Sequence, residues 1–392
     1  MRAAAAELVR LQQLQQRRQR RVVEAQPGEG GSARVRVDGR ELVNFCSNDY
    51  LGLAHDKRLG AAMVAAAGRW GAGAGAAHLL TGHTREHHEL ETELAAFTGR
   101  ESALLFSTGY MANVGVIQAL CSRADVIVQD RLNHASLLDG ARLSGARLQR
   151  YAHGDIAAAG ALLEAAGERA ALLATDGVFS MDGDIAPLEG LAVLAARHRA
   201  WLLVDDAHGL GVIGATGRGV LEQAGLDEQQ VPLLVGTLGK ALGSFGAFVA
   251  GQRDLIELVM QRARSYIYTT ALPPAVAAAT REALRIVDRD SAPRERVHAL
   301  TRRFRVGASQ MGLAIGASTT PIQPLLLGDA AHCLAASQRL MDRGYWVAAI
   351  RSPTVPAGTE RLRINLSAAH QDHEVDGLLD ALHAVLKTGL AT

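Results

Sequence analysis

The alternation of apolar and polar positions divides the chain into stretches with different rhythms. In R-V-R-V-D-G-R-E-L-V-N-F, residues 34–45, valines alternate with charged residues around Asp38-Gly39, which predicts a β-hairpin. From about residue 100, short apolar runs at 103–107, 125–129, 171–175, 201–205 and 232–236 alternate with helical stretches at 111–120, 135–144, 155–166 and 187–199. Repeated strand and helix predict an α/β fold with a mostly parallel sheet covered on both faces. Near residue 290 the pattern changes. The polar helix R-E-R-V-H-A-L-T-R-R-F-R leads into strands near 322–327, 346–350 and 361–366, with helices at 331–343 and 371–386, which reads as a smaller C-terminal α+β domain. At the other end, Leu8, Leu11 and Leu14 share one face of an Arg-rich stretch, predicting a packed N-terminal helix. The segment Q-P-G-E-G-G-S at 26–32 reads as a loop. The expected organisation is an arm and hairpin (1–45), a large domain (46–288) and a small domain (289–392).

The 392 residues suit more than one domain at roughly 150 residues each. Lys and Arg number 41 against 40 Asp and Glu, so the basic excess expected of a protein that binds nucleic acid through phosphates is missing. No uninterrupted apolar run reaches the length of a membrane span. Cys46, Cys121 and Cys333 are odd in number and far apart, which suggests neither a disulfide framework nor a zinc site and suits a reducing cytosol. Glu7 and the lack of serine in 7–21 argue against a mitochondrial transit peptide, so the expected location is cytoplasmic.

Ligands of open parallel sheets bind beyond the carboxyl ends of the strands, so candidate chemistry is sought there. The first strand runs into Ser107-Thr108-Gly109-Tyr110, where helix-start N–H groups and a glycine make a phosphate cradle. After the second comes His134, after the third the polar, Gly-rich D-G-V-F-S-M-D-G-D at 176–184. The fourth, Trp201-Leu202-Leu203-Val204, ends in Asp205-Asp206-Ala207-His208-Gly209. A buried acid there needs a cationic partner. Metal is one reading of Asp205 and His208, though no third ligand lies at fitting spacing. A protonated ring nitrogen is the other. The fifth strand ends in Gly236-Thr237-Leu238-Gly239-Lys240-Ala241, too short between glycines for a P-loop. A lysine among small residues at this position suits Schiff-base chemistry instead. A phosphate at Gly109-Tyr110, a ring nitrogen at Asp205, an aldehyde at Lys240 and a ring stacked on His134 together describe pyridoxal 5′-phosphate.

On D-D-A-H-G, T-L-G-K and the G-Y turn, the chain resembles the fold-type-I pyridoxal-phosphate enzymes, and in particular the α-oxoamine synthases. The resemblance runs from about 35 to 385, through N-F-C-S-N-D-Y-L-G-L (44–53), D-R-L-N-H-A-S-L-L-D-G (130–140), T-D-G-V-F-S-M-D-G-D (175–184), V-D-D-A-H-G-L-G-V-I-G (204–214) and A-I-R-S-P-T-V-P-A-G-T-E-R-L-R (349–363). It implies that Lys240 holds the cofactor aldehyde and later handles the α-proton. It also implies that Asp205 binds the ring nitrogen, His208 the ring hydroxyl, and that His134 stacks on the ring. Gly109, Tyr110 and Thr237 hold the phosphate in this reading, Ser180 lines the cofactor, and Thr269 or Thr270 reaches in from a partner in a homodimer with shared sites. Asn48 and Arg351 are implied near the amino-acid carboxylate, Thr354 near the acyl substrate, and Arg17, with Arg20 and Arg21 as alternatives, near a distal carboxylate. The implied reaction is a decarboxylating condensation of L-alanine with a pimeloyl thioester, of coenzyme A or acyl carrier protein. Rivals are glycine with acetyl-CoA, the sphingoid-base and aminolevulinate reactions, and an idle relative acting as a scaffold. The loop at 71–83 is Ala/Gly-rich where many relatives are Ser/Gly-rich. His83, His87 and His88 read as a solvated helix start rather than a metal site, and no metal is expected.

Overall fold

A seven-stranded sheet forms the centre of one compact unit, which spans Leu53–Ser180 and Ile185–Arg294 of the computed structural model. The structure describes residues 3–25 and 33–387, so the loop expected at 26–32 lies outside the described residues. In spatial order the strands are Ser102–Phe106, Ala247–Gly251, Leu233–Thr237, Trp201–Asp205, Ala170–Asp176, Val126–Asp130 and Arg147–Tyr151. Four neighbouring pairs are parallel. Ala247–Gly251 runs antiparallel between Ser102–Phe106 and Leu233–Thr237. The five expected strands are all present. Helices Gly109–Leu120, Ala135–Ser144, Ile156–Ala166 and Leu188–His198 follow them as the periodicity predicts.

The centre of the sheet is almost wholly apolar. Leu104, Phe106, Ile127, Leu172, Leu203, Val235 and Val249 are buried together with Val116 and Ile117 of the helix above them. Each large side chain so buried contributes about 1.5–3 kcal/mol. That rigidity fixes the strand ends from which the functional residues project.

The second unit comprises the residues up to Gly52, the short segment Met181–Asp184 and everything from Glu295 onward. The hairpin is Arg34–Val37 and Arg40–Asn44, turned at Asp38 (φ 52°) and Gly39 (φ 73°), the two positive φ values that an Asp-Gly type I′ turn requires. It is not part of a free-standing arm. Arg40–Asn44 pairs in parallel with Tyr345–Trp346, so the hairpin joins the C-terminal residues. A three-stranded antiparallel sheet, Ile322–Leu326, Arg361–Asn365 and Ala348–Ile350, completes this unit. The N-terminal helix runs only from Ala4 to Gln13, and none of its residues is buried. Leu8 and Leu14 stay about half exposed, which differs from the packed helix expected from their spacing.

The His-rich stretch also differs from expectation. His87 is fully buried at the start of helix Arg85–Thr98. Its Nδ1 accepts from Thr84 N–H at 3.0 Å and its Nε2 lies 2.7 Å from Leu272 O, so it is a helix cap and not a solvated histidine. Burial pushes His78 down to about 3 and His83 to about 4, and the neighbouring imidazoles add to both shifts. Glu91, on the same helix, accepts from Leu105 N–H at 2.9 Å, and burial raises its carboxyl from 4.5 to about 8. Below 4.5 the group is protonated folded and unfolded alike. Between 4.5 and about 8 only the unfolded chain releases the proton, so stability is lost as pH rises through that window. Glu91→Gln keeps an acceptor for Leu105 and removes the titration. The melting temperature of the variant is expected to rise relative to wild type as pH goes from 5 to 8 (roughly the window above). Parallel curves would contradict this.

Candidate active site

The carboxyl ends of the central strands open onto one cavity of about 210 Å³. Asp205 ends its strand directly opposite Asp176 in the register, and both carboxyls are buried. Burial, and then the neighbouring Asp205 charge, push Asp176 well above the usual carboxylate range. Asp176 accepts from the His134 backbone N–H at 3.0 Å. Asp205 accepts from the Asn113 side-chain amide at 2.6 Å and from Ala207 N–H at 3.1 Å. Both of these donors are neutral, and no lysine or arginine forms an ion pair with it among the described residues.

Lys240 sits in a tight loop. Leu238 N–H donates to Gly246 O, Ser244 N–H to Leu238 O, and Gly243 N–H to Lys240 O, each at 2.9 Å. Gly243 has φ 60°, and a Cβ there would collide with the Ala54 backbone, so the loop depends on glycine. The Lys240 Nζ lies 2.9 Å from His208 Nε2, and both line the cavity. His134 caps helix Ala135–Ser144, its Nδ1 accepting from Ser136 N–H. Burial lowers its affinity for a proton, which the Asp205 charge partly offsets.

The remaining wall is a helix start. Thr108 caps helix Gly109–Leu120 by accepting from Met111 N–H at 3.2 Å, leaving the first amides, Gly109 and Tyr110, at the cavity. A Cβ on Gly109 would meet no protein atom within 4 Å, so the space in front of these amides is open for a ligand. Thr237 donates its hydroxyl to Gly246 O at 3.2 Å, and Ser180 also lines the cavity. This donor set fits pyridoxal phosphate. Anion-binding amides lie at a helix N-terminus, a buried carboxylate has only neutral donors where a protonated ring nitrogen would supply the missing charge, and an amine stands beside a histidine.

Gly109, Tyr110, His134, Ser180, Asp205, His208, Thr237 and Lys240 are thus brought together. Thr269 and Thr270 are not among the residues that line this cavity. Thr270 forms an isolated bridge with Ala77. Asn113, Ser136 and Asp176 belong to the site but were not singled out in the sequence. The first carries a readable signal, a buried amide in the apolar helix G-Y-M-A-N-V-G-V-I-Q-A-L, one turn beyond Gly109.

The residues expected to meet substrate belong to the other unit. Asn48 Oδ1 accepts from both Arg363 Nη atoms and from Asn365 Nδ2, each at 3.2 Å, which leaves the Asn48 N–H side as a donor. Arg351 donates Nη2 to Arg17 O at 2.9 Å and Nε to Gln15 O, while Arg18 Nη2 donates to Thr354 Oγ1 at 3.2 Å. Burial and the Arg18 charge hold the Arg351 guanidinium below its ordinary range. Arg17, Arg21 and Arg351 line a cavity of about 380 Å³ within this unit, and Arg18, Arg351 and Thr354 another of about 260 Å³. Arg21 also pairs with Asp38 at 3.1 Å.

Comparison with known proteins points the same way. Residues 40–382 match the family of class I and II aminotransferases. An 8-amino-7-oxononanoate synthase of Methylococcus capsulatus is 59% identical over 93% of each chain, and one of Alkalilimnicola ehrlichii is 60% identical over 91% of each. A serine palmitoyltransferase of S. paucimobilis, solved with pyridoxal phosphate and myriocin bound, superposes with a TM-score of 0.92 at 32% identity, covering 98% of this chain and 96% of its own.

Proposed function

The chain belongs to the class I and II aminotransferase family and, within it, to the 8-amino-7-oxononanoate synthases, and we propose that it condenses L-alanine with a pimeloyl thioester. The products are 8-amino-7-oxononanoate, carbon dioxide and a free thiol, a step of biotin biosynthesis. The observation that carries this reading is the single cavity that brings Lys240, His208, Asp205 and His134 together with the Gly109 helix start. Relatives of that name at 59–60% identity supply the substrates.

When bound, pyridoxal phosphate supplies a ring that takes up the electron pair left by the α-proton of alanine and again when carbon dioxide departs. The chain does the rest. Lys240 Nζ would hold the cofactor aldehyde and serve as the base for the α-proton of alanine. Asp205 would hold the proton on the ring nitrogen, which makes the ring the better electron acceptor. His208, 2.9 Å from the lysine, is placed for the ring hydroxyl. His134 would stack on the ring, and the Gly109 and Tyr110 amides with Thr237 would bind the phosphate. Ser180 closes the wall. Asn48 and Arg351 bind the alanine carboxylate, Thr354 contacts the acyl substrate, and Arg17 meets the distal carboxylate of the pimeloyl chain. The acyl donor is the thioester of coenzyme A or of acyl carrier protein.

We assign the enzyme to the cytoplasm, which its three free cysteines suit, and to a homodimer with shared sites. The exposed apolar stripe at Leu8 and Leu14 and the 72% exposed Tyr268 are surfaces that a second copy would cover, with Thr269 or Thr270 then reaching the phosphate.

Borohydride reduction of the protein loaded with pyridoxal phosphate tests the cofactor assignment. The chain has three lysines, Lys57, Lys240 and Lys387. Mass spectrometry should find the reduced cofactor on Lys240, and labelling of Lys57 or Lys387 alone would contradict the assignment. A second expected result concerns Arg17. Arg17→Gln should raise KM for pimeloyl-CoA about tenfold, the scale of a lost hydrogen bond to a charged group, and leave KM for alanine within about twofold. Equal changes in both constants would assign the pimeloyl carboxylate to another residue.

A further inference from the structure

We propose that Asn113 and Ser136 are positioning residues that join Asp205 to His134 through one buried hydrogen-bond chain, so that the acceptor at the ring nitrogen and the tautomer of the stacking imidazole are set together. The proposal rests on the reading of the cavity as a pyridoxal-phosphate site. Asn113 and Ser136 are both fully buried, on helices Gly109–Leu120 and Ala135–Ser144. The Asn113 amide group is used in two directions, 2.6 Å to Asp205 Oδ2 and 2.9 Å to Ser136 Oγ. Ser136 Oγ lies 2.7 Å from His134 Nδ1, and Ser136 N–H donates to the same nitrogen at 3.3 Å.

The direction of every proton follows from the chemistry of the partners. An ionised Asp205 only accepts, so Asn113 must present its NH2 to it, and the second hydrogen of that NH2 goes to Ser136 Oγ. The hydroxyl, having accepted, gives its own proton to His134 Nδ1. That nitrogen thus accepts twice, and the neutral imidazole carries its hydrogen on Nε2. The arrangement has a cost. Asn113 Oδ1 is buried without a hydrogen-bond partner, while turning the amide over would point that oxygen at the Asp205 carboxylate. Serving two acceptors at once accounts for the orientation that is kept.

The titratable groups around Asp205 are Asp176, Asp206 and His134, with His208 and Lys240 lining the same cavity, and Asn113→Asp adds a carboxyl 2.6 Å from it, close to isosteric with the amide. Two carboxyls at that distance must share a proton. Above neutrality, Asn113→Asp is therefore expected to bind pyridoxal phosphate about tenfold or more weakly than wild type. The affinity should recover as acidification restores the shared proton, while wild type changes much less over the same range. Ser136→Ala, with the Asp205 contact intact, should bind the cofactor within about threefold of wild type yet exchange the α-proton of alanine about tenfold more slowly. Affinity of Asn113→Asp that matches wild type, or that is weak to the same degree at every pH, would overturn the proposal. So would exchange at the wild-type rate in Ser136→Ala, which decides the matter if Asn113→Asp fails to fold. Wild type that binds no pyridoxal phosphate would instead bring down the site reading on which the proposal rests.

Discussion

Lys240→Ala is expected to lower kcat by at least about 10⁴-fold, the upper end of what one positioned acid–base group contributes, because this lysine also holds the cofactor. The loop that carries it is closed by backbone hydrogen bonds from Leu238 to Gly246 and depends on Gly243 rather than on the lysine side chain. Folding and thermal stability should therefore stay close to wild type. Lys240 is the one lysine lining the cavity, and His208 at 2.9 Å is no replacement, since an imidazole forms no stable Schiff base with an aldehyde. Thiol release from pimeloyl-CoA in the presence of alanine measures the loss. Activity within tenfold of wild type would remove Lys240 from the mechanism.

Asp205→Asn is the second large effect. The carboxylate is buried, and its hydrogen-bond donors Asn113 and Ala207 bring no positive charge. A protonated ring nitrogen would complete a buried ion pair, and removing one partner of such a pair costs about 3–5 kcal/mol. That corresponds to a loss of roughly 10²- to 4 × 10³-fold, each factor of ten being about 1.4 kcal/mol. The loss should appear in exchange of the α-proton of alanine into deuterated solvent, a reaction that needs no thioester. Binding of the cofactor should weaken less, because the phosphate amides at Gly109 and Tyr110 are untouched. Exchange at the wild-type rate would show that Asp205 does not set the electron flow.

Much of this arrangement is legible in the sequence because strand ends are marked by abrupt changes in polarity. Val204 to Asp205, Val235 to Thr237 and Phe106 to Gly109 each pass from a buried run to polar or glycine residues, and each of these points lies at the cavity. Two strands of the seven-stranded sheet were hidden for physical reasons. Ala247–Gly251 is buried on both faces, so it shows no alternation, and it follows the Lys240 loop too closely for a helical crossover, as an antiparallel strand does. Arg147–Tyr151 is an edge strand whose side chains are mostly not buried, and R-L-Q-R-Y lacks an apolar run. The partnership of the hairpin with Tyr345–Trp346 depends on a pairing over some three hundred residues, which no local pattern encodes. Asn113 and Ser136 were within reach, one turn after Gly109 and two residues after His134, but nothing in the sequence says that their side chains meet. The buried cap at His87 misled the reading for the opposite reason. A histidine among Glu and Arg looks solvated until Leu272 O closes over it.

The pair of substrates defines the reaction. A pocket discriminates alanine from glycine by one methyl group, worth about 1–3 kcal/mol, so the choice has to be measured. The direct measurement is kcat/KM for alanine, glycine and serine, each with acetyl-, succinyl-, pimeloyl- and palmitoyl-CoA, followed by thiol release from protein loaded with pyridoxal phosphate. Alanine with pimeloyl-CoA is expected to give the highest value, about tenfold or more above glycine with the same thioester. Glycine with acetyl-CoA as the preferred pair would contradict it, leaving the fold and the cofactor site in place.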